Sequence, residues 1–405
     1  MSSVLSGGGV AGRVGTILGD GTVTDRVTRM PTSPAQPVEK PGTPLVLVSG
    51  SGRSGTSSLA GALKRLGLHV PQPEVEASET NPRGFYEPQW VIDFHKRHLK
   101  ELALFNIDSR PAAVDLVARY VESGVPTAEL HEWLSGQLAL PEVVGEQVVV
   151  KDPHAFWFAQ VWEQVTAELD VDLRWLTALR HPAEVVGSRD IAYLSSQSDD
   201  LRLTKETSNV AGWVHAALLT EQAGRGSKRA FVRYTDLLAD WRAALTPVQQ
   251  QLDLALNTDL AAAPDEREHH PVDDFIEPSM RKSQLTWDDV RTPDWLREMA
   301  ENVWELLGVL TQDPHRADTM HALDRVHEDY DARYAEAVAL TFDHTRAEST
   351  LAAREARDAQ RATLQQLRRD LDAARRDGSA GAPAVGGREA AAILRRAVVR
   401  RVTRR

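Results

Sequence analysis

The first strong hydrophobic signal is a continuous apolar run, Leu45-Val46-Leu47-Val48, the pattern of a strand buried on both faces. A Gly/Ser-rich stretch follows over residues 49–55. Leu59, Ala62, Leu63 and Leu66 then recur at i, i+3, i+4 and i+7, which predicts a helix stopped by Gly67. The same alternation continues downstream. Val148-Val149-Val150 reads as a strand and leads through Lys151-Asp152-Pro153-His154 into a helical stretch over 156–169. Residues 173–179 read as a third strand ending at Arg180, with Pro182 at the start of the next helix, where its missing N–H costs nothing. Residues 230–234 read as a fourth strand, followed by helix over 235–254. Strands alternating with helices predict a P-loop-like, three-layer α/β/α fold around a central parallel sheet. No internal repeat is found.

The ends of the chain follow other patterns. Residues 1–43 are rich in Gly, Ser, Thr and Pro without apolar periodicity, and are expected to be disordered. Order is expected over a main domain at 44–320. Residues 321–377 are charged and Ala-rich and predict a long C-terminal helical extension. There Leu364, Leu367, Leu371 and Ala374 keep a/d spacing for two heptads, but the phase is lost upstream at Gln360 and Arg357. That leaves a coiled coil, and self-association through it, open. Residues 378–387 read as a Gly/Ala/Pro linker. In 388–405, Ala390, Ile393, Leu394, Ala397, Val398 and Val402 trace one face of a short helix, with arginines on the other.

Composition narrows the class. The chain has 405 residues, 42% hydrophobic and 26% charged, as expected of a globular protein. It has no cysteine, which excludes disulfides, Cys-ligated zinc and a Cys nucleophile. No apolar run reaches the roughly 18 residues of a membrane span, and the N-terminal region lacks the apolar core of a secretory signal. A cytoplasmic protein is the expectation. Seven Arg and one Glu give residues 388–405 a charge of +6, so the net −11 leaves −17 on the rest. An acidic body argues against nucleic-acid binding. The basic end reads as a solvated tail, as a helix docked on the acidic body, or as a contact with an anionic membrane surface.

The loop Gly50-Ser51-Gly52-Arg53-Ser54-Gly55-Thr56-Ser57-Ser58 carries the candidate chemistry. Backbone N–H groups in such a loop converge on phosphate oxygens, and the helix behind adds its positive dipole end. The spacing matches G-x-x-x-x-G-K-[ST], except that Thr56 stands where the lysine belongs.

The stretch VSGSGRSGTSSLAGAL, 48–63, resembles the 5′-phosphosulfate loop of sulfotransferases that use 3′-phosphoadenosine 5′-phosphosulfate (PAPS). Four later segments agree in order. NPRGFYE, 81–87, resembles a segment of bacterial and carbohydrate-type members. LTALRHPAEVVGSR, 176–189, resembles the 3′-phosphate motif. FVRYTDLLAD, 231–240, is similar to the adenine-side segment, and FIEPSMRKSQ, 275–284, to the late loop that closes over the donor. The resemblance spans about 44–310. It implies PAPS as co-substrate, without a metal, held by Ser51, Gly52, Arg53, Ser54, Gly55, Thr56, Ser57, Ser58, Arg180, Ser188, Tyr234, Arg281 and Lys282. A 3′-phosphate calls for a guanidinium with hydroxyl donors, and Arg180 lies at a strand's carboxyl end, where α/β ligands bind.

The resemblance also implies transfer to a hydroxyl, here of a glycan or glycolipid. Glu87 is preferred as general base, His154 is the other candidate, and Lys151 and Arg53 flank the transferred group. Asp93, His95 and His98 receive no role. Trp90, Trp133, Trp157 and Trp162 could line an acceptor cleft, but tryptophans are more often core. Two other classes stay open. A P-loop kinase would take Asp152 as its Mg²⁺-binding acid. A non-catalytic interaction protein would keep a degenerate form of the same domain.

Overall fold

The computed structural model describes residues 42–79, 81–193, 199–263, 265–281 and 284–378. Of the segment 1–43 expected to be disordered, 1–41 lie outside these residues, whereas Thr43 already belongs to a strand. The linker beyond Gly378 and the basic helix of 388–405 also lie outside. β1 (Thr43–Ser49) runs into α1 (Thr56–Arg65), and a long crossover then carries α2 (Gln89–Glu101), α3 (Ala112–Val121) and α4 (Val125–Leu138). After these come β2 (Val148–Lys151), α5 (Ala159–Glu168), β3 (Val171–Leu179), α6 (Pro182–Tyr193), α7 (Asp199–Ala223) and β4 (Lys228–Arg233). The chain finishes through α8 (Tyr234–Ala239), α9 (Trp241–Gln251), α10 (Pro271–Phe275), α11 (Asp294–Leu310), α12 (Ala317–Leu340) and α13 (Phe342–Gly378).

The four strands form one parallel sheet in the order β2-β1-β3-β4. Their side chains alternate between two cores, as the period of two requires. Val46, Val48, Val149, Leu176, Ala178, Ala230 and Val232 pack with α1, α8 and α9. Leu45, Leu47, Val148, Val150, Leu173 and Trp175 pack on the opposite face with α2 to α5. A third cluster joins α6, α7, α11 and α12, and buries Leu323 and Tyr330 of α12. The architecture is the three-layer α/β/α arrangement read from the sequence.

Register fixes the working edge. Val48 pairs with Lys151, Ser49 with Thr177, and Leu179 with Arg233, so all four carboxyl ends meet on one side. From β1 the chain goes to β2 on one flank and then crosses to β3 on the other. The reversal opens a crevice beyond β1, the place where ligands bind in such sheets.

Three elements differ from expectation. Tyr234 does not end the fourth strand; it is the first residue of α8. The helix expected over 235–254 is broken at Asp240, whose carboxylate accepts from the N–H groups of Arg242 and Ala243 and starts α9 afresh. The helix expected over 156–169 begins as a 3₁₀ turn at Ala155–Phe158, all four of whose residues are buried. Trp157 and Trp162 belong to the core, and Trp90 stacks on Trp133 with ring centroids 4.8 Å apart. Among the described residues, no helix is long and apolar enough to cross a membrane.

Candidate active site

The glycine-rich turn is built for backbone approach. Gly50 and Gly55 hold φ of 130° and 89°. A Cβ on Gly50 would sit 2.6 Å from the Ala178 carbonyl oxygen, and one on Gly55 would sit 2.1 Å from the Tyr234 ring. Both positions therefore demand glycine on conformation and on space. Arg53 also has positive φ, 77°, unusual for a residue with a side chain. Ser51 and Ser54 hold the turn: their hydroxyls lie 2.6 Å apart, and the Ser54 N–H donates to the Ser51 carbonyl at 3.1 Å. Neither lines the cleft beside them.

That cleft, of about 680 Å³, is lined on one side by Gly52, Arg53, Gly55, Thr56, Ser57 and Ser58. Arg180 and Tyr234 close one end. Glu87, Lys151 and His154 form the other wall, and Phe85, Ile92, Lys96 and Asn106 also line the space. Residues far apart in sequence thus meet around one space.

Lys151 ends β2 and is 2% exposed. Its ammonium donates to Glu87 Oε1 and lies 3.4 Å from Ser57 Oγ. It stands beside the glycine-rich turn from the neighbouring strand, where a P-loop protein would use a lysine within the loop. Glu87 is presented by a braced turn. Its carbonyl accepts from the Val75 N–H at 2.8 Å, and the Gln89 N–H donates to the Pro73 carbonyl at 2.8 Å. Asn81 donates to the Gly84 carbonyl at 2.6 Å and reaches Ser57 Oγ at 3.4 Å, joining the 81–87 segment to the loop. Arg83 binds the Phe275 carbonyl and Glu277, tying the same segment to the late loop.

Asp152 follows Lys151 and is fully buried. Its Oδ2 lies 2.6 Å from His95 Nδ1. Its Oδ1 accepts from the His154 N–H at 2.8 Å and lies 2.7 Å from His154 Nδ1. Trp162 donates to His95 Nε2 at 3.2 Å, which leaves Nδ1 to donate to Asp152. Burial alone would raise the pKa of Asp152, but His154 and His95 more than offset it and hold the carboxyl well below the usual range.

At the other end Arg180 donates through Nε to Glu184 at 2.9 Å and through Nη1 to the Arg53 carbonyl at 3.0 Å. Its guanidinium lies 5.1 Å from the Tyr234 ring centroid. Arg281 binds the second oxygen of Glu184. Burial pushes the Glu184 pKa up, but Arg281 and Arg180 outweigh it and hold the carboxyl below its ordinary value. Burial also raises the pKa of Tyr234, against the pull of Ser58 and Arg180. The Tyr234 hydroxyl donates to the Met280 carbonyl at 3.1 Å. Arg281 does not line the main cleft. It sits in an adjoining cavity of about 590 Å³ that shares Arg180 and contains Trp287 and Trp304.

Thr56, Ser57, Ser58, Arg53, Arg180, Tyr234, Lys151, Glu87 and His154 are brought together. Ser188 lies on α6, with its side chain outside the described residues, and Lys282 is outside them altogether. The sequence reading missed Glu184, although it stands four residues after Arg180, in the first turn of α6. It also missed the grip of His95 on Asp152, for which no local signal exists. Among the described residues no group of three or more His, Cys, Asp or Glu is placed to hold a metal ion.

No protein-family model matches the chain, and no curated protein does. Among solved structures it is similar to the sulfotransferase domain from the Synechococcus PCC 7002 olefin synthase, at 19% identity and a TM-score of 0.38, covering 67% of this chain and 97% of that one. It is also similar to the sulfotransferase domain from the curacin biosynthetic pathway, at 14% identity and a TM-score of 0.36, covering 66% and 98%. At these values neither structure bears on the chemistry, which rests on the cleft.

Proposed function

We propose that the chain is a PAPS-dependent sulfotransferase acting on a hydroxyl acceptor, a glycan or glycolipid in class. The observation that carries this reading is the placement of Lys151. A buried lysine stands 3.4 Å from Ser57 at the phosphate loop and bears Glu87 on its ammonium, while the loop itself has Thr56 in place of lysine. That set suits a donor with one bridging oxygen to stabilise and one acceptor proton to remove.

PAPS supplies the sulfuryl group, whose S–O bond to the 5′-phosphate breaks as a new S–O bond forms to the acceptor. The loop N–H groups with Thr56, Ser57 and Ser58 would hold the 5′-phosphosulfate. Arg180 would hold the 3′-phosphate, and Tyr234 would pack beside the base. Glu87 takes the acceptor's hydroxyl proton, and Lys151, released from that carboxylate, faces the oxygen that gains charge as the bisphosphate leaves. Arg53 flanks the same oxygen. The glycan or glycolipid class rests on the resemblance of 81–87 alone.

The kinase reading fits less well, because Asp152 is fully buried with its oxygens engaged by His95 and His154, unlike an acid that faces a nucleotide-bound Mg²⁺. The test is transfer of label from PAPS into glycan- and glycolipid-containing extracts. Labelling that persists in EDTA and disappears in Lys151→Ala supports the proposal. Labelling from γ-phosphate-labelled ATP with Mg²⁺, and none from PAPS, would overturn it.

A further inference from the structure

Helix α13 is one continuous helix of 37 residues, about 55 Å long. From Phe342 to Ala373 every side chain is exposed except Leu367 and Leu371, which are half-buried. Phe342 is 58% and Leu364 49% exposed. Helices in proteins gain most of their stability by packing an apolar face, and this one leaves its face without a partner among the described residues of the chain.

The face repeats every eleven residues. Phe342, Ala353 and Leu364 form one row; Thr345, Ala356 and Leu367 a second; Ser349, Gln360 and Leu371 a third. Eleven residues make three turns, so the rows run nearly parallel to the helix axis. This spacing also explains why a seven-residue phase fails at Gln360 and Arg357. Arg346, Arg357 and Arg368 border the face on one side at the same spacing, and Glu348, Ala359 and Asp370 border it on the other. Asp370 accepts from Gln366 at 2.8 Å, a neutral donor that leaves its charge in place.

We infer that α13 pairs in parallel and in register with α13 of a second copy of this chain. In a parallel pair each arginine border faces the partner's acidic border. Arg346 then stands within two residues of the level of Glu348, and Arg368 within two of Asp370, and the symmetry makes each pairing twice. The leucines of the last third also meet their own counterparts. An antiparallel pair would set arginine row against arginine row, and would lay the leucines on the Thr/Ser/Ala half.

The full chain should therefore run in light scattering at about twice its 44.7 kDa. Arg346→Glu with Arg368→Glu sets acid against acid where these residues face Glu348 and Asp370 of the second copy, and should weaken self-association about tenfold or more. Adding Glu348→Arg and Asp370→Arg should restore it, because the borders are complementary again with their signs exchanged. The chain lacks cysteine, so single replacements report orientation cleanly. Ser349→Cys alone should cross-link to itself under mild oxidation. A monomer at tens of micromolar would overturn the inference. So would self-association indifferent to the border charges, or cross-linking that needs Ser349→Cys mixed with Leu371→Cys, the antiparallel pairing.

Discussion

Two carboxylates organise the two ends of the cleft, and each grips two cationic or cation-forming partners. At the donor end Glu184 holds Arg180 and Arg281. At the transfer end Asp152 holds His95 and His154. Glu184 shares its arginines with open space, since Arg180 lines the cleft and the Arg281 side chain is 38% exposed. Asp152 is fully buried, and the stack of His95 on Phe158 with the Trp162 donor fixes its partner from behind. In the proposed reaction the Glu184 end supplies cations for the donor's charge, and the Asp152 end frames Lys151 and Glu87. Changes at the transfer end should therefore appear in turnover, and changes at the donor end in donor affinity.

The sharpest break in that contrast would come from Lys151. Lys151→Ala should lower kcat about 10³-fold, as loss of a charge-stabilising group does. It also strands Glu87 without its buried partner, at a cost of about 3–5 kcal/mol of stability. Lys151→Ala with Glu87→Gln should regain much of the stability and none of the turnover, which chemical denaturation and initial rates would separate. Glu87→Gln alone should lower kcat about 10²-fold with donor affinity unchanged. If His154→Ala abolishes turnover while Glu87→Gln spares it, the roles of the two walls are exchanged. Arg180→Ala should leave the frame intact and weaken adenosine 3′,5′-bisphosphate binding by about 2–3 kcal/mol, read by calorimetry.

The smallest effect belongs to Asp152. Asp152→Asn should cost about 1–3 kcal/mol of stability at neutral pH. The folded-state pKa of Asp152 is depressed, so its contribution is complete above the unfolded value near 3.8 and is lost as pH falls through the lower folded value. The gap between wild type and Asp152→Asn should hold down to about pH 4 and close in stronger acid. A gap that closes near neutrality would place the titrating group elsewhere.

Legibility in the sequence followed the range of each interaction. Leu45 to Val48 and Val148 to Val150 identified their strands because burial on both faces writes a local apolar run. Gly50 and Gly55 marked the turn because backbone conformation is also local. The first wall of the cleft was readable for that reason. Ser51 and Ser54 have the composition of ligand hydroxyls and spend it on each other, a distinction set by side-chain direction that spacing does not encode. Tyr234 reads as a strand residue by type, yet β4 stops at Arg233 and α8 begins with Tyr234. The Asp152–His95 contact joins residues 57 apart through α2, and needs the fold before it can be seen. Helix α11 was within reach, because Leu296, Met299, Ala300, Val303, Leu307 and Leu310 keep helical spacing.

The central claim is that this phosphate loop, with its lysine supplied from β2, serves a donor ending in adenosine 3′,5′-bisphosphate. Calorimetric titration of the wild-type chain in EDTA tests it most directly. The account expects saturable one-to-one binding of adenosine 3′,5′-bisphosphate without metal, and none of ATP with Mg²⁺ in a parallel titration lacking EDTA. Binding of ATP with Mg²⁺, with no heat from the bisphosphate, would contradict it.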